Sequence, residues 1–226
     1  MAAKRAPGDP RGGAPSDDHH EAQRLRIGVL AAQGDFEAHL HMLNSLGARA
    51  HEVRTAEQLA KLDGLVIPGG ESTAIIKALE RDGLEPAIRE HHGSGRPIFG
   101  TCAGMIVCDR NHLGLLDVTT RRNAYGRQMQ SFECELTVEG LGADPLRAIF
   151  IRAPAIESHG DSIEVLAARG DHPVVIREDG VLACAFHPEL TDDSRLHALF
   201  MAIATRQRDE RAQVDAHGSR RVGVGR

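Results

Sequence analysis

The sequence predicts an α/β fold: a three-layer open, mostly parallel sheet with helices on both faces and an antiparallel extension. Three observations predict it. From residue 26 to about 100, short apolar runs alternate with amphipathic stretches, the pattern of successive β-α-β units. After Leu115 the character changes to β-branched and aromatic runs, as in antiparallel strands, with no long helical pattern before residue 192. Polar or glycine-bearing breaks at Gln33-Gly34, Gly69-Gly70, Cys102 and His187 each follow an apolar run directly, and the carboxyl ends of strands are where open α/β sheets bind ligands.

Each element has its own signal. The run 26–31 is a first strand, and 36–46 a helix with an inward stripe at 36, 39–40, 43 and 46, stopped by Gly47. A second strand spans 50–54, and Thr55 caps a short helix. Residues 64–67 form a buried strand broken by Pro68-Gly69-Gly70, with helix following over 71–80 and again over 86–92. The strand 97–100 delivers Cys102. Beyond it, strand signals lie around 119–120, 132–138, 147–152, 165–167, 173–177 and 181–186, and 192–205 is the closing helix.

The chain has 226 residues, enough for one domain with a sizeable core. Residues 1–24 are rich in Gly, Pro and charge and are expected to be a disordered extension, 25–205 the folded domain, and 206–226 a tail, partly helical and then disordered. A net charge of −5 and 3% aromatic residues argue against a nucleic-acid surface, which needs clustered cations and stacking rings. No apolar run reaches the length of a membrane span, and the first 24 residues have neither a secretory h-region nor the acid-poor composition of a transit peptide. The expectation is a soluble, cytoplasmic protein. Three of the four cysteines lie in apolar stretches without CxxC spacing, as reduced core residues do.

The chemistry concentrates in two segments. Gly100-Thr101-Cys102-Ala103-Gly104 places a thiol between small residues at a strand-to-helix turn, the geometry of a nucleophile elbow. By itself such a string is more often a tight turn with a core cysteine. Its place after Pro97-Ile98-Phe99 and before Met105-Ile106-Val107 favours the nucleophile. In His187-Pro188-Glu189 the imidazole is placed to take the thiol proton, and Glu189, on the same side of an extended segment, to fix its tautomer. Pro68-Gly69-Gly70-Glu71-Ser72 reads as a turn with Ser72 as helix cap, and equally as an oxyanion hole whose second donor is the N–H of Ala103. Arg122 and Arg152 are either solvated charges or clamps for a substrate carboxylate. The histidines have no metal-ligand spacing, so no metal is expected.

Together these segments resemble the class I, triad-type glutamine amidotransferases, and more narrowly the glutaminase subunits of pyridoxal 5'-phosphate synthase. The resemblance spans residues 27–203. It rests on Leu30-Ala31-Ala32-Gln33-Gly34-Asp35, Gly69-Gly70-Glu71-Ser72-Thr73, the elbow, Arg122-Asn123-Ala124-Tyr125-Gly126-Arg127-Gln128, Phe150-Ile151-Arg152-Ala153-Pro154 and His187-Pro188-Glu189-Leu190-Thr191. It implies a flavodoxin-like fold. Cys102, His187 and Glu189 would be the triad, with Gly70, Glu71, Ser72, Arg122, Ile151 and Arg152 around glutamine. Gln33-Gly34 would be a turn gated by the partner. It also implies no cofactor, and ammonia passed to a (β/α)₈-barrel synthase subunit in a large hetero-oligomer. Residues 103–111 are fewer than this resemblance implies, so the helix behind the elbow should be short. The competing readings are an amidotransferase serving another acceptor and a non-catalytic interaction subunit.

Overall fold

A computed structural model describes residues 24–122 and 131–222. The expectations for residues 1–23, for the 123–128 part of the motif that begins at Arg122, and for 223–226 lie outside them. The main sheet has seven strands in the order β2-β1-β3-β4-β11-β10-β9: β1 (Arg26–Leu30), β2 (Arg49–Val53), β3 (Gly64–Ile67), β4 (Ile98–Thr101), β9 (Glu164–Arg169), β10 (His172–Glu178) and β11 (Val181–Cys184). The pairs from β2 to β11 are parallel, and β10 and β9 are added antiparallel. Sequence explains the order of burial. Gly64-Leu-Val-Ile67, Ile98-Phe-Gly-Thr101 and Val181-Leu-Ala-Cys184 are buried at every position, as strands covered on both faces must be. Arg49-Ala-His-Glu-Val53 is mostly exposed and takes an edge.

The helices are α1 (Phe36–Ser45), α2 (Ala56–Leu59), α3 (Ser72–Arg81), α4 (Leu84–Gly93), α5 (Ala103–Cys108) and α6 (Arg195–Val222). Strand β4 shows how they are divided between the faces. Side chains alternate across a sheet, and Phe99 packs on Phe200 and His197 of α6 while Thr101 reaches His39 of α1. Gly100, between them, points the other way, onto the backbone of Gly104 and Met105 in α5. The three layers are therefore α1 and α6, the sheet, and α5 with its neighbour α3.

Two smaller antiparallel pairs complete the fold, β5 (Val118–Arg121) with β8 (Ala155–His159) and β6 (Ser131–Leu136) with β7 (Leu146–Ile151). Strand β8 has no counterpart in the sequence reading, because only Ala155 and Ile156 of its five residues are apolar and buried. A stack of rings locks the second pair to the main sheet: Phe132 lies 4.6 Å from Phe150, which lies 5.3 Å from Phe186 just beyond β11.

The sequence places the closing helix over 192–205 and a partly helical tail beyond it; in the structure a single helix runs from Arg195 to Val222 and takes in most of that tail. Asp193 delays its start by accepting from the N–H of Arg195 at 3.1 Å. Beyond Thr205 the run of Arg, Gln, Glu and Ala has high helix propensity and no proline to stop it, and Arg211 bonds the carbonyl of Gly95.

Helix α5 lies so close to β3 that a Cβ on Gly104 would sit 1.9 Å from the carbonyl oxygen of Ile67. In an open helix Gly→Ala gains about 1 kcal/mol; here overpacking, about 1–3 kcal/mol or more, outweighs it. Gly104→Ala should lower the urea midpoint without changing the slope of the transition, and a raised midpoint would contradict the packing.

Candidate active site

The register aligns the carboxyl ends of three strands, with Ile67 opposite Gly100 and Cys184 opposite Thr101. The residues that follow each strand, Gly69-Gly70, Cys102 and His187, therefore emerge at one edge of the sheet. Cys102 turns from strand to helix in one residue, at φ 48° and ψ −105°. A residue other than glycine held there stores on the order of 1–3 kcal/mol of backbone strain. Its N–H donates to the carbonyl of Cys184 at 2.8 Å, and its own carbonyl accepts from Met105 at 3.1 Å. These bonds on either side pin the strained residue, with its sulfur 3.7 Å from the carbonyl oxygen of Ile151. As the short segment 103–111 implies, α5 has only six residues.

His187 is positioned by its neighbours in sequence. Phe186 anchors the chain in the ring stack, and the His187 N–H donates to the carbonyl of Ile149 at 2.9 Å. The segment after it is not extended, as the sequence reading has it. Pro188–Leu190 is a single 3₁₀ turn, which Pro188 favours by fixing φ at its first position. That turn swings the buried Glu189 back, so Nδ1 of His187 lies 2.7 Å from Oε1 of Glu189. The other ring nitrogen is left for Cys102. Burial alone would lower the basicity of His187, but its hydrogen bonds to Cys102 and Glu189, and the charges of both, prevail and raise its pKa to about 10.

In front of these groups is a cavity of about 160 Å³ lined by Gly70, Glu71, Ser72, Cys102, Ala103, Ile106, Arg122, Ile151, Arg152 and His187. The structure thus brings together nearly all the residues that the sequence singles out. Ile106 is the addition; nothing in the sequence distinguishes it from the other apolar residues of α5. Arg152, at φ 46°, is a second non-glycine residue in the left-handed region at this cavity. Arg122 donates to Thr73 Oγ1 at 2.5 Å, bringing the end of β5 to the start of α3.

Two expectations change. The cap of α3 is Glu71 and not Ser72: the Glu71 carboxylate accepts from Thr73 at 3.1 Å and Ala74 at 2.8 Å, because the longer side chain reaches the free amides from one residue further back. Those amides, Thr73 foremost, hold its pKa below the usual carboxylate range. Gly69 does not offer its N–H to the cavity, since that group donates to Thr101 Oγ1 at 3.0 Å. Its bareness serves another end, for a Cβ there would lie 2.5 Å from Cε1 of His187 and 3.2 Å from Cβ of Cys102. The side chains of Cys102 and His187 meet across a glycine because only glycine leaves room.

Gln33 and Gly34 stand behind the cavity. Gly34, at φ 92°, lies against the carbonyl of Gly69, where a Cβ would come within 1.8 Å of the oxygen. The turn after β1 therefore touches the peptide between Gly69 and Gly70. Among the described residues no group of three His, Cys, Asp or Glu is arranged to hold a metal, and no helix is long and apolar enough to cross a membrane.

Pyridoxal 5'-phosphate synthase subunit PdxT of Frankia alni is 49% identical over 187 residues, covering 79% of this chain and 94% of the relative. The protein of the same name from Thermotoga maritima is 46% identical, covering 79% and 99%. A crystal structure of a glutamine amidotransferase, 46% identical, superposes with a TM-score of 0.75 over 79% of this chain and 98% of its own. The structure of PurLQS from Thermotoga maritima contains a chain that is 17% identical, with a TM-score of 0.59 over 84% of this chain and 97% of its own, and it shares the fold. Residues 29–206 match the SNO glutamine amidotransferase family, and the chain belongs to that family.

Proposed function

We propose that this chain hydrolyses L-glutamine to L-glutamate and ammonia, as the glutaminase subunit of a pyridoxal 5'-phosphate synthase. The observation that carries this reading is Cys102, strained at the end of β4 and facing an imidazole whose far nitrogen is held by Glu189. The names of the relatives from Frankia alni and Thermotoga maritima support the assignment to vitamin B6 synthesis.

In this reading the sulfur of Cys102 attacks the side-chain carboxamide carbon of glutamine. The C–N bond breaks, and the thiol proton, carried by His187, goes to the departing nitrogen as ammonia. Water, giving its proton to His187, then cleaves the γ-glutamyl thioester, and glutamate leaves with the thiol restored. Glu189 keeps the Nδ1 proton of His187 in place through both steps. The N–H groups of Ala103 and Gly70 stabilise the developing oxyanion. Arg122 and Arg152 bind the substrate carboxylate, the acidic Glu71 and Ser72 lie toward its ammonium, and Ile106 and Ile151 pack its methylenes. No step calls for a cofactor. Ammonia passes to a (β/α)₈-barrel synthase subunit in a large hetero-oligomer; residues 1–24 and 206–226 contribute no group to the chemistry. The contact of Gly34 with Gly69 supports gating by that partner, because pressure on the Gln33-Gly34 turn reaches the peptide unit that carries the Gly70 N–H.

Cys102→Ala should reduce glutamate release by about 10⁴-fold or more with an unchanged melting temperature, whereas Cys108→Ala, Cys134→Ala and Cys184→Ala should keep turnover; substantial turnover by Cys102→Ala would reject the nucleophile. Mixing the chain with its synthase partner should raise glutamine hydrolysis by about 10²–10³-fold, the worth of one oxyanion donor, and equal rates with and without the partner would reject gating.

A third expectation concerns pH. The folded pKa of His187, about 10, exceeds its unfolded value near 6.5. The resulting stabilisation is complete below about pH 6.5 and is lost as pH rises through about 10. The urea midpoint of the native chain should therefore fall more steeply between pH 7 and 10 than that of His187→Gln; parallel slopes would contradict the shift.

A further inference from the structure

Behind the triad lies a buried polar chain that the reaction above does not use. Oε1 of Glu189 is bonded to His187, but Oε2, equally buried, has no hydrogen bond of good geometry. Its nearest basic neighbour is Nε2 of His39, 3.4 Å away on the inward face of α1. The same nitrogen is 3.3 Å from Thr101 Oγ1, the atom that accepts from the N–H of Gly69. On the other side of the ring, Nδ1 of His39 is 2.8 Å from Nε2 of His197, in the first turn of α6. The titratable groups facing His39 are thus Glu189 from the 3₁₀ turn, with His187 beyond it, and His197 from α6; β4 contributes the neutral Thr101.

Both histidines are fully buried. Burial is the main cause that holds each below the usual imidazole range: His39 well below it, with His197 and His187 adding to the effect, and His197 at about 4. Both rings are neutral at neutral pH, each with one ring proton, and a single proton lies between their facing nitrogens. Two arrangements are open to it. If Nδ1 of His39 carries the proton, its bare Nε2 faces a carboxylate oxygen, and the buried Nδ1 of His197 is left as an N–H without an acceptor. If His197 carries it on Nε2 and donates to His39, then Nε2–H of His39 points between Glu189 Oε2 and Thr101 Oγ1. A buried charged acceptor without a donor is the costlier state, so the second arrangement prevails.

We propose that His39 is a positioning residue of the site: as the Nε2–H tautomer imposed by His197, it holds the second oxygen of Glu189 and, through Thr101, ties that carboxylate to Gly69. The triad is thereby extended inward through two neutral histidines, and the triad carboxylate and the Gly69-Gly70 turn share one anchor. The kinetic consequence rests on the glutaminase reading; the tautomer does not.

The test uses His39→Leu, which removes the donor, and His39→Gln, whose amide nitrogen falls near the position of Nε2. With the synthase partner, kcat for glutamine hydrolysis should drop about 10- to 100-fold in His39→Leu, with KM within about threefold, and His39→Gln should recover most of the loss. Without the partner, two-bond ¹H–¹⁵N spectra of the native chain should show His39 protonated at Nε2 and bare at Nδ1. The titration midpoint of His187 should fall by about one unit in His39→Leu as Glu189 loosens. A His39 protonated at Nδ1, native kcat in His39→Leu, or an unmoved His187 midpoint would overturn the proposal. If His39→Leu does not fold, the tautomer and the His187 midpoint of His39→Gln, expected at its native value, decide. If the native complex releases no glutamate, the glutaminase reading falls while the spectra still judge His39.

Discussion

The close approach of α5 to the sheet is the constraint on which the rest of the site depends. Gly100 faces the backbone of Gly104 and Met105, and Gly104 faces the carbonyl of Ile67, so the helix lies against β3 and β4 with no side chain between. Only at that distance must the chain reverse within one residue after Thr101. The left-handed backbone of Cys102 follows from this reversal, as does the sulfur's place in front of β11. The hydrogen bond from Cys102 N–H to Cys184 carries the same constraint to the strand that leads to His187. Two glycines without side-chain chemistry of their own thus determine where the chemistry occurs.

The second requirement is electrostatic. Glu189 places a carboxylate in a buried setting, which is tolerated only when its oxygens find donors. His187 supplies one on the cavity side. Helices α1 and α6 supply the other surroundings, with His39 and His197 in contact at 2.8 Å and tilted at 46°. Secondary elements that never touch the cavity are therefore part of its electrostatics. Desolvation keeps these two histidines neutral, while the burial of His187 is outweighed by its partners. Of three imidazoles in one region, burial keeps two neutral while polar partners favour the charge on the third.

Much of this was legible in the sequence. The parallel strands stand out because a strand covered on both faces must be apolar throughout, and β3 and β11 are such runs. The breaks after them mark the functional edge, since glycine and polar residues interrupt apolar runs there. What escaped the sequence depends on contacts between distant segments. Strand β8 is held by its pairing with β5 and not by its own composition. Glu71 and Ser72 are both suited to cap a helix, and the choice between them is made by the path of the chain out of β3. His39 did leave a trace, as a polar residue on the inward stripe of α1. Its meaning was hidden because Glu189 and His197 lie far away in the chain, the two histidines being 158 residues apart.

The backbone of Cys102 has an evolutionary consequence. A residue held at φ 48° and ψ −105° is one that glycine would occupy with less strain. Selection for a more stable chain alone would thus favour losing the sulfur, and any thiol chemistry with it. The elbow is a standing conflict between durability and turnover. In a lineage that no longer needed the proposed reaction, position 102 would be one where drift and stability pull in the same direction.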